Sequence, residues 1–264
     1  MLKVATLASG SSGNCLVVSD GRIHILIDAG ISARRITTGL KGLGIDPAAL
    51  TAVLITHEHA DHISGLPVLC RQTGADICTA EPTARQICRR TAGLEERLCV
   101  FEAGERFAIG DLVVGTFPTS HDCARPVGYT VSDGRVKLGL CTDLGRVTDE
   151  VLAGLYGSHL LVGEFNHDVD MLRSGPYPAY LKERVLGDRG HLSNEAGAAL
   201  AARCVQWGAN RVVMAHLSQE NNRPSLARQA AEAAFAGIGA AVGRDVRLET
   251  ALRSEPGDWW EVEP

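Results

Sequence analysis

The feature that most constrains this chain is the hexapeptide HEHADH at residues 57–62, which directly follows the apolar run AVLIT at residues 52–56. Three imidazoles and the carboxylate of Asp61 within six residues suit a core poorly, but they are ligands that Zn²⁺, Mn²⁺ and Fe²⁺ accept. A strand that ends in a loop lets such side chains converge instead of alternating across a sheet. Because one tetrahedral ion would rarely take four ligands from so short a stretch, the pattern predicts two adjacent divalent ions.

Composition limits the classes of protein to consider. The 264 residues contain no Gly/Ser-rich linker, so we expect a single domain over residues 1–264. A formal net charge of -5 excludes a global attraction to nucleic acid or to an anionic membrane, so any phosphate-binding surface must be local. No long apolar span and no signal peptide is evident, and we expect no membrane partner. Eight cysteines without a C-x-x-C pair favour reduced thiols and a cytoplasmic location.

Strand patterns dominate the start and the middle of the chain, and helical patterns follow each group. This order predicts two sheets with helices outside them. The pattern predicts a hairpin around Asp20-Gly21, one continuous helix over residues 63–73, and a closing strand over residues 246–250. Residues 167–194 contain Pro176, Pro178 and several glycines, which predict a partly irregular segment.

Further candidate ligands directly follow later strands. His121, Asp143 and His216 each stand at the end of a predicted strand, where loops can bring them to the hexapeptide. We assign these candidate ligands to two ions. The first ion takes His57, His59 and His121, the second takes Asp61, His62 and His216, and Asp143 bridges both. Asp28, also after a strand, is expected to orient a ligand imidazole rather than to bind an ion.

Two ions about 3.5–4 Å apart can share a hydroxide, lower its pKa and clamp the oxygens of an in-line displacement. Asp61, beside that hydroxide, can orient it and accept its proton. His191 is the candidate for protonating the leaving oxygen, and Glu164 is the carboxylate that would hold its tautomer. From the residues alone, the prediction is a metal-dependent hydrolase.

The hexapeptide matches the H-x-H-x-D-H signature of the metallo-β-lactamase fold. That resemblance implies an α/β fold, an αββα sandwich in which two mixed β-sheets pack face to face with helices outside. Other motifs resemble the YycJ (WalJ) branch of this superfamily, among them LASGSSGNC at 7–15, LIDAG at 26–30, EFNHD at 164–168, GHLSN at 190–194 and AHLSQENN at 215–222. The order Glu164, His191, His216 is also similar to that of ribonuclease Z. The branch implies a 5′-to-3′ exonuclease on double-stranded DNA ends, with DNA-repair proteins as candidate partners.

Lys182 and Arg184 could contact backbone phosphates, as could Arg173, Arg189 and Arg223, and Tyr177 could stack on a terminal base. Neither the clamp domain of ribonuclease J nor the long arm of ribonuclease Z is evident, so the substrate could be smaller than DNA. A phosphodiesterase acting on cyclic phosphates or nucleotides is therefore the alternative. A lactonase or thioesterase would use the same ions on an acyl carbonyl without an obvious need for His191. A non-enzymatic accessory protein usually lacks some of the ligands that this chain retains.

Overall fold

The computed structural model describes residues 1–264 and contains two seven-stranded sheets. The first sheet is formed by β1 (Lys3–Ala8), β2 (Cys15–Ser19), β3 (His24–Ile27), β4 (Leu50–Leu54), β5 (Asp76–Ala80) and β6 (Leu98–Phe101). The second is formed by β7 (Arg106–Ile109), β8 (Leu112–Pro118), β9 (Val127–Ser132), β10 (Lys137–Cys141), β11 (Leu160–Glu164), β12 (Arg211–Ala215) and β13 (Arg247–Thr250). The last strand, β14 (Trp260–Glu261), returns to the first sheet beside β1.

Nine α-helices connect or cover these strands. They are α1 (Ala33–Gly42), α2 (Ala60–Ile63), α3 (Leu66–Thr73), α4 (Glu81–Arg90), α5 (Asp149–Leu155), α6 (Val169–Ser174), α7 (Ala179–Leu186), α8 (Asn194–Gln206) and α9 (Pro224–Gly237). None of them combines the length and the hydrophobicity that a membrane-spanning segment requires.

Alternation along the strands explains the layers. On β3, Ile25 and Ile27 lie in the apolar layer between the two sheets, whereas Leu26 lies on the other face with Ile36 of α1. Successive side chains of a strand point to opposite faces, so a strand that is apolar on both faces must be covered on both. The second sheet follows the same rule, with α5, α8 and α9 covering its outer face. The predicted αββα sandwich is confirmed.

The parallel strands decide where functional side chains can meet. β3 pairs in parallel with β4, and β10, β11 and β12 pair in parallel with one another. Their carboxyl ends lead into Asp28, Asp143 and His216, which have positive φ angles of 63°, 58° and 57°. Such angles are uncommon for residues other than glycine, and they cluster at functional sites. The edge formed by these strand ends is therefore the place to look for a site.

The predicted hairpin is formed by β2 and β3, and β13 is the edge strand expected near residues 246–250. The prediction of one continuous helix over residues 63–73 is wrong, because the helix is interrupted at Ser64 and Gly65, between α2 and α3. A Cβ at Gly65 would lie 2.0 Å from the carbonyl oxygen of Ile31, and the Gly65 N–H donates to Ala29. Residues 167–194 contain α6 and α7, and α7 has no buried residue whose spacing could have revealed it.

Candidate metal centre

The seven side chains predicted as metal ligands converge at the carboxyl edge of the parallel strands. They form three sets, and within each set the donor atoms all lie within 4.8 Å of one another. The sets are His57, His59 and His121; Asp61, His62 and His216; and His57, His62 and Asp143. Asp143 and His62 therefore lie between the three-imidazole group and the group that contains Asp61. A fourth set joins Asp143 and His216 to Glu164 and His191.

The three-imidazole group consists of His57, His59 and His121. Nδ1 of His57 lies 3.0 Å from the Thr56 hydroxyl, and Nδ1 of His121 lies 3.1 Å from the carbonyl oxygen of Gly190. Burial, together with the neighbouring imidazoles, holds the pKa of His57 well below its usual value, and burial also lowers the pKa of His121. The lowered pKa values of His57 and His121 favour the neutral ring, which is the form that binds a cation.

His62 occupies a more acidic environment. Its Nδ1 lies 2.7 Å from the Asp28 carboxylate, and its Nε2 lies 3.4 Å from Asp143 and 3.6 Å from Asp61. Burial disfavours the imidazolium, but Asp28, Asp143 and Asp61 outweigh it and raise the pKa of His62 to about 10. Because several carboxylates face one buried ring here, a cation at this position would offset their charge.

Glu164 holds two imidazoles with one buried carboxylate. Its Oε1 lies 2.9 Å from Nδ1 of His191 and 2.8 Å from Nδ1 of His216, and its Oε2 accepts the N–H groups of Leu144 and Leu192. Burial alone would raise the pKa of Glu164, but His191 and His216 hold it well below its usual value. Burial likewise opposes the His191 imidazolium, yet Glu164 raises the pKa of His191 to about 9. The sequence predicted the contact with His191 but not the one with His216.

Among the buried side-chain atoms that have no hydrogen-bond partner are Oδ2 of Asp143, Nε2 of His216 and Oδ1 of Asp122. Leaving a buried polar atom unpaired is costly, so native proteins rarely do so without a compensating group. A divalent cation satisfies carboxylate oxygens and imidazole nitrogens together. The residues present therefore fit divalent metal ions.

Comparison with known proteins decides the family. Residues 24–217 match the beta-lactamase superfamily domain. The chain belongs to this superfamily. Across its length it is 36% identical to exodeoxyribonuclease WalJ of Streptococcus pneumoniae, over 93% of each chain. It is also 35% identical to exodeoxyribonuclease YycJ of Bacillus anthracis, over 92% of each chain. Membership of the WalJ/YycJ branch, predicted from the motifs, is confirmed, and the chain is a hydrolase of this superfamily.

Solved structures support the fold. The metallo-beta-lactamase fold protein YhfI of Bacillus subtilis superposes with a TM-score of 0.73 at 17% identity, covering 98% of each chain. The short form of human tRNase Z superposes with a TM-score of 0.68 at 18% identity, covering 99% of this chain and 100% of that one. At such low identities the likeness concerns the fold alone.

The cleft over the candidate metal centre has a volume of about 260 Å³. Tyr177 and Arg184, predicted to bind substrate, line it together with His191. Arg184 is not free, because its Nε donates to Asp122 at 2.6 Å. Lys182 is not brought to the cleft, since its ammonium group donates to the carbonyl of Arg173 at 2.7 Å. Only part of the predicted substrate surface therefore faces the centre.

Some residues that shape the centre were missed from the sequence. The Thr56 hydroxyl donates to Asp28 while lying beside Nδ1 of His57, so it ties these two side chains together. Asp122 places its unpaired oxygen 3.5 Å from Nε2 of His121. Glu58 braces a neighbouring loop instead of facing the ligands, because its Oε1 accepts the N–H of Ala124. All three are adjacent in sequence to a predicted ligand, which is the one signal that could have pointed to them.

Proposed function

We propose that this chain is a dinuclear metal-dependent phosphodiesterase that degrades double-stranded DNA from its 5′ ends. One observation carries the proposal: the three-imidazole group and the group of Asp61, His62 and His216 meet at Asp143, and His191 lies 3.6 Å from the same carboxylate. The relatives named exodeoxyribonucleases span nearly the whole chain, which supports DNA as the substrate. DNA-repair proteins are the proposed partners.

We assign the donors as their grouping suggests. His57, His59 and His121 would hold one ion, Asp61, His62 and His216 the other, and Asp143 both. Asp28 would keep the proton of His62 on Nδ1, so that Nε2 is free to bind. Zinc or manganese are the preferred ions, and iron is also compatible with these ligands. We also propose a cytoplasmic location, because all eight cysteines are free thiols.

When bound, the two ions would supply charge stabilisation for the phosphoryl oxygens and an activated water. The chain itself would move the protons. Asp61, whose carboxylate faces His62, is placed to accept the proton of the attacking water. Nδ1 of His191 donates to the Glu164 carboxylate, which raises the pKa of His191 to about 9, and the ring lines the cleft, so it can donate a proton to the leaving oxygen.

A second candidate follows from the size of the cleft. Its volume of about 260 Å³ is below the range of roughly 300–1,000 Å³ that is common for ligand pockets. A cleft of this size accepts one terminal nucleotide of a DNA strand, but it also accepts a small cyclic or linear phosphodiester. The small phosphodiester is therefore the alternative substrate.

The test is digestion of linear duplex DNA that carries a 5′ label, with Mn²⁺ or Zn²⁺ added. Asp61→Ala is run beside the wild type, and bis-p-nitrophenyl phosphate is run as a small substrate. Early release of labelled mononucleotide by the wild type alone is the expected result. Intact DNA under both metals, with turnover of the small substrate, would reject the exonuclease and favour the alternative. Turnover of thioesters or lactones but of neither phosphodiester would reject both.

A further inference from the structure

A second cavity, of about 580 Å³, adjoins the metal centre. His121 lines both this cavity and the cleft, so the two spaces adjoin at that residue. Three arginines, Arg125, Arg146 and Arg189, line the second cavity, and we call it the basic groove. A strand that leaves the cleft past His121 would enter the groove directly.

The charges of the groove are only partly neutralised. The side chain of Arg125 makes neither an ion pair nor a hydrogen bond. The guanidinium of Arg189 donates to the neutral carbonyl of His121 at 3.1 and 3.2 Å, which leaves its charge uncompensated. Arg146 pairs with Asp188 at 3.5 Å, but both side chains are largely exposed, so the pair is weak. Glu150 is the remaining charged residue of the lining.

The groove is held in shape by hydrogen bonds between its segments. The Glu58 carboxylate accepts the N–H of Ala124, and the Thr83 hydroxyl donates to the carbonyl of Arg125 at 3.1 Å. The Ser120 hydroxyl donates to the carbonyl of Asp188 at 2.5 Å. The loops that present the three arginines are therefore anchored, which lowers the entropy lost when they bind a ligand.

Helix α7, which carries Lys182 and Arg184, offers the cleft less positive charge. Arg184 is paired with Asp122 at 2.6 Å, and the ammonium group of Lys182 is directed to a backbone carbonyl. In a protein with a net charge of -5, the uncompensated arginines beside the centre are a local exception. Arginine pairs with phosphate oxygens through two parallel hydrogen bonds, and such contacts position a duplex without reading its sequence.

We propose that the basic groove binds the backbone phosphates of the DNA duplex next to the end that is being digested. This inference rests on the proposed function, because it assigns the groove to the same substrate. It replaces Lys182 and Arg184 with Arg125 and Arg146 as the principal phosphate contacts. Asp188 then limits the affinity, since its carboxylate competes with phosphate for Arg146.

The test compares Arg125→Ala, Arg146→Ala and Asp188→Asn with the wild type. For each, kcat/KM is measured on linear duplex DNA and on bis-p-nitrophenyl phosphate, which has a single phosphate and so no neighbouring backbone phosphate for the groove to bind. Arg22→Ala is the matched control, because Arg22 lies in the exposed hairpin turn between β2 and β3 and pairs with Asp111. That turn precedes β3, so it lies at the edge of the sheet opposite the metal centre.

We expect each arginine variant to lower kcat/KM on DNA, relative to the small substrate, by about three- to tenfold. The plot of log affinity against log salt concentration has a negative slope, and this slope should become shallower by about 0.9 for each phosphate contact that is lost. Asp188→Asn should act in the opposite direction and tighten DNA binding, which a merely structural role would not produce.

Equal losses on both substrates, unchanged DNA kinetics in the arginine variants, or weaker binding by Asp188→Asn would each overturn the inference. If the wild type digests DNA normally, such results reject the groove and leave the proposed function standing. If the wild type turns over only the small substrate, the proposed function and the groove fail together.

Discussion

Asp28→Asn is the sharpest test of how the centre is held, because asparagine has the same shape as aspartate and tolerates a φ of 63°. Oδ2 of Asp28 accepts the Nδ1 proton of His62 at 2.7 Å, and Oδ1 accepts the N–H of Thr56 at 2.9 Å. Both partners and Asp28 itself are buried. A carboxamide can accept from one of these two donors but not from both.

The magnitude follows from that conflict. If the amide nitrogen faces His62, the ring must move its proton to Nε2, which then can no longer bind an ion. If the amide nitrogen faces Thr56 instead, the buried N–H of Thr56 loses its acceptor. A buried donor left unpaired costs about 1–3 kcal/mol. Loss of a partner that orients a ligand imidazole costs about 10–100-fold in metal affinity, which corresponds to about 1.4–2.8 kcal/mol.

We therefore expect the metal concentration that gives half-maximal phosphodiesterase activity to rise about 10–100-fold in Asp28→Asn, with activity largely regained at saturating metal. The assay is a metal titration of the chelator-treated protein, followed by turnover and by metal content. Asp20→Asn is the control, because the Asp20 carboxylate accepts the N–H groups of Arg22 and Ile23 in a turn distant from the centre. An unchanged titration, or activity that no metal concentration restores, would refute the reasoning.

Other substitutions test other parts of the structure. His191→Ala should retain both ions but lower phosphodiester turnover by about 10²–10⁴-fold, as measured by metal content and kcat. Tyr129→Phe removes a hydroxyl that donates to the Ile55 carbonyl at 2.7 Å in the layer between the sheets. It should lower the free energy of unfolding in urea by about 0.5–1.5 kcal/mol. Gly30→Ala places a Cβ 1.6 Å from the carbonyl oxygen of Asp61, so it should reduce both thermal stability and activity. Gly42→Ala, where a Cβ meets nothing within 4 Å, should instead stabilise α1 by about 0.5–1 kcal/mol.

Each of these expectations has a result that contradicts it. Wild-type turnover by His191→Ala would remove that residue from the proton transfer, and loss of an ion would make it a ligand. Equal unfolding curves for Tyr129→Phe and the wild type would mean that the hydroxyl contributes nothing net. If Gly30→Ala and Gly42→Ala behaved alike, the close approach of the Gly30 backbone to Asp61 would not be real.

Much of the centre was predictable because its signals are local in sequence. The hexapeptide at residues 57–62 places several candidate ligands together after one strand, and His121, Asp143 and His216 each follow the end of a strand by one to three residues. Parallel strands bring their carboxyl ends to one edge, so a ligand at the end of a strand lies near the others. The alternation that buries Ile25 and Ile27 on one face and Leu26 on the other is also readable directly.

The contacts between distant segments were not readable in this way. Glu164 reaches His216 across 52 positions of sequence, and Asp122 neutralises Arg184 across 62. At the break before α3, the Gly65 N–H donates to the carbonyl of Ala29 instead of to its own helix, a contact that exists only in the folded chain.

The sequence by itself thus determined the layers and predicted the candidate ligands and their order, because strand alternation and strand ends are local properties. Only the tertiary structure decided which carboxylate holds which imidazole and which arginines keep their charge beside the centre. Those outcomes depend on the distances between segments that pairing and packing bring together, and the spacing of residues along the chain does not encode them.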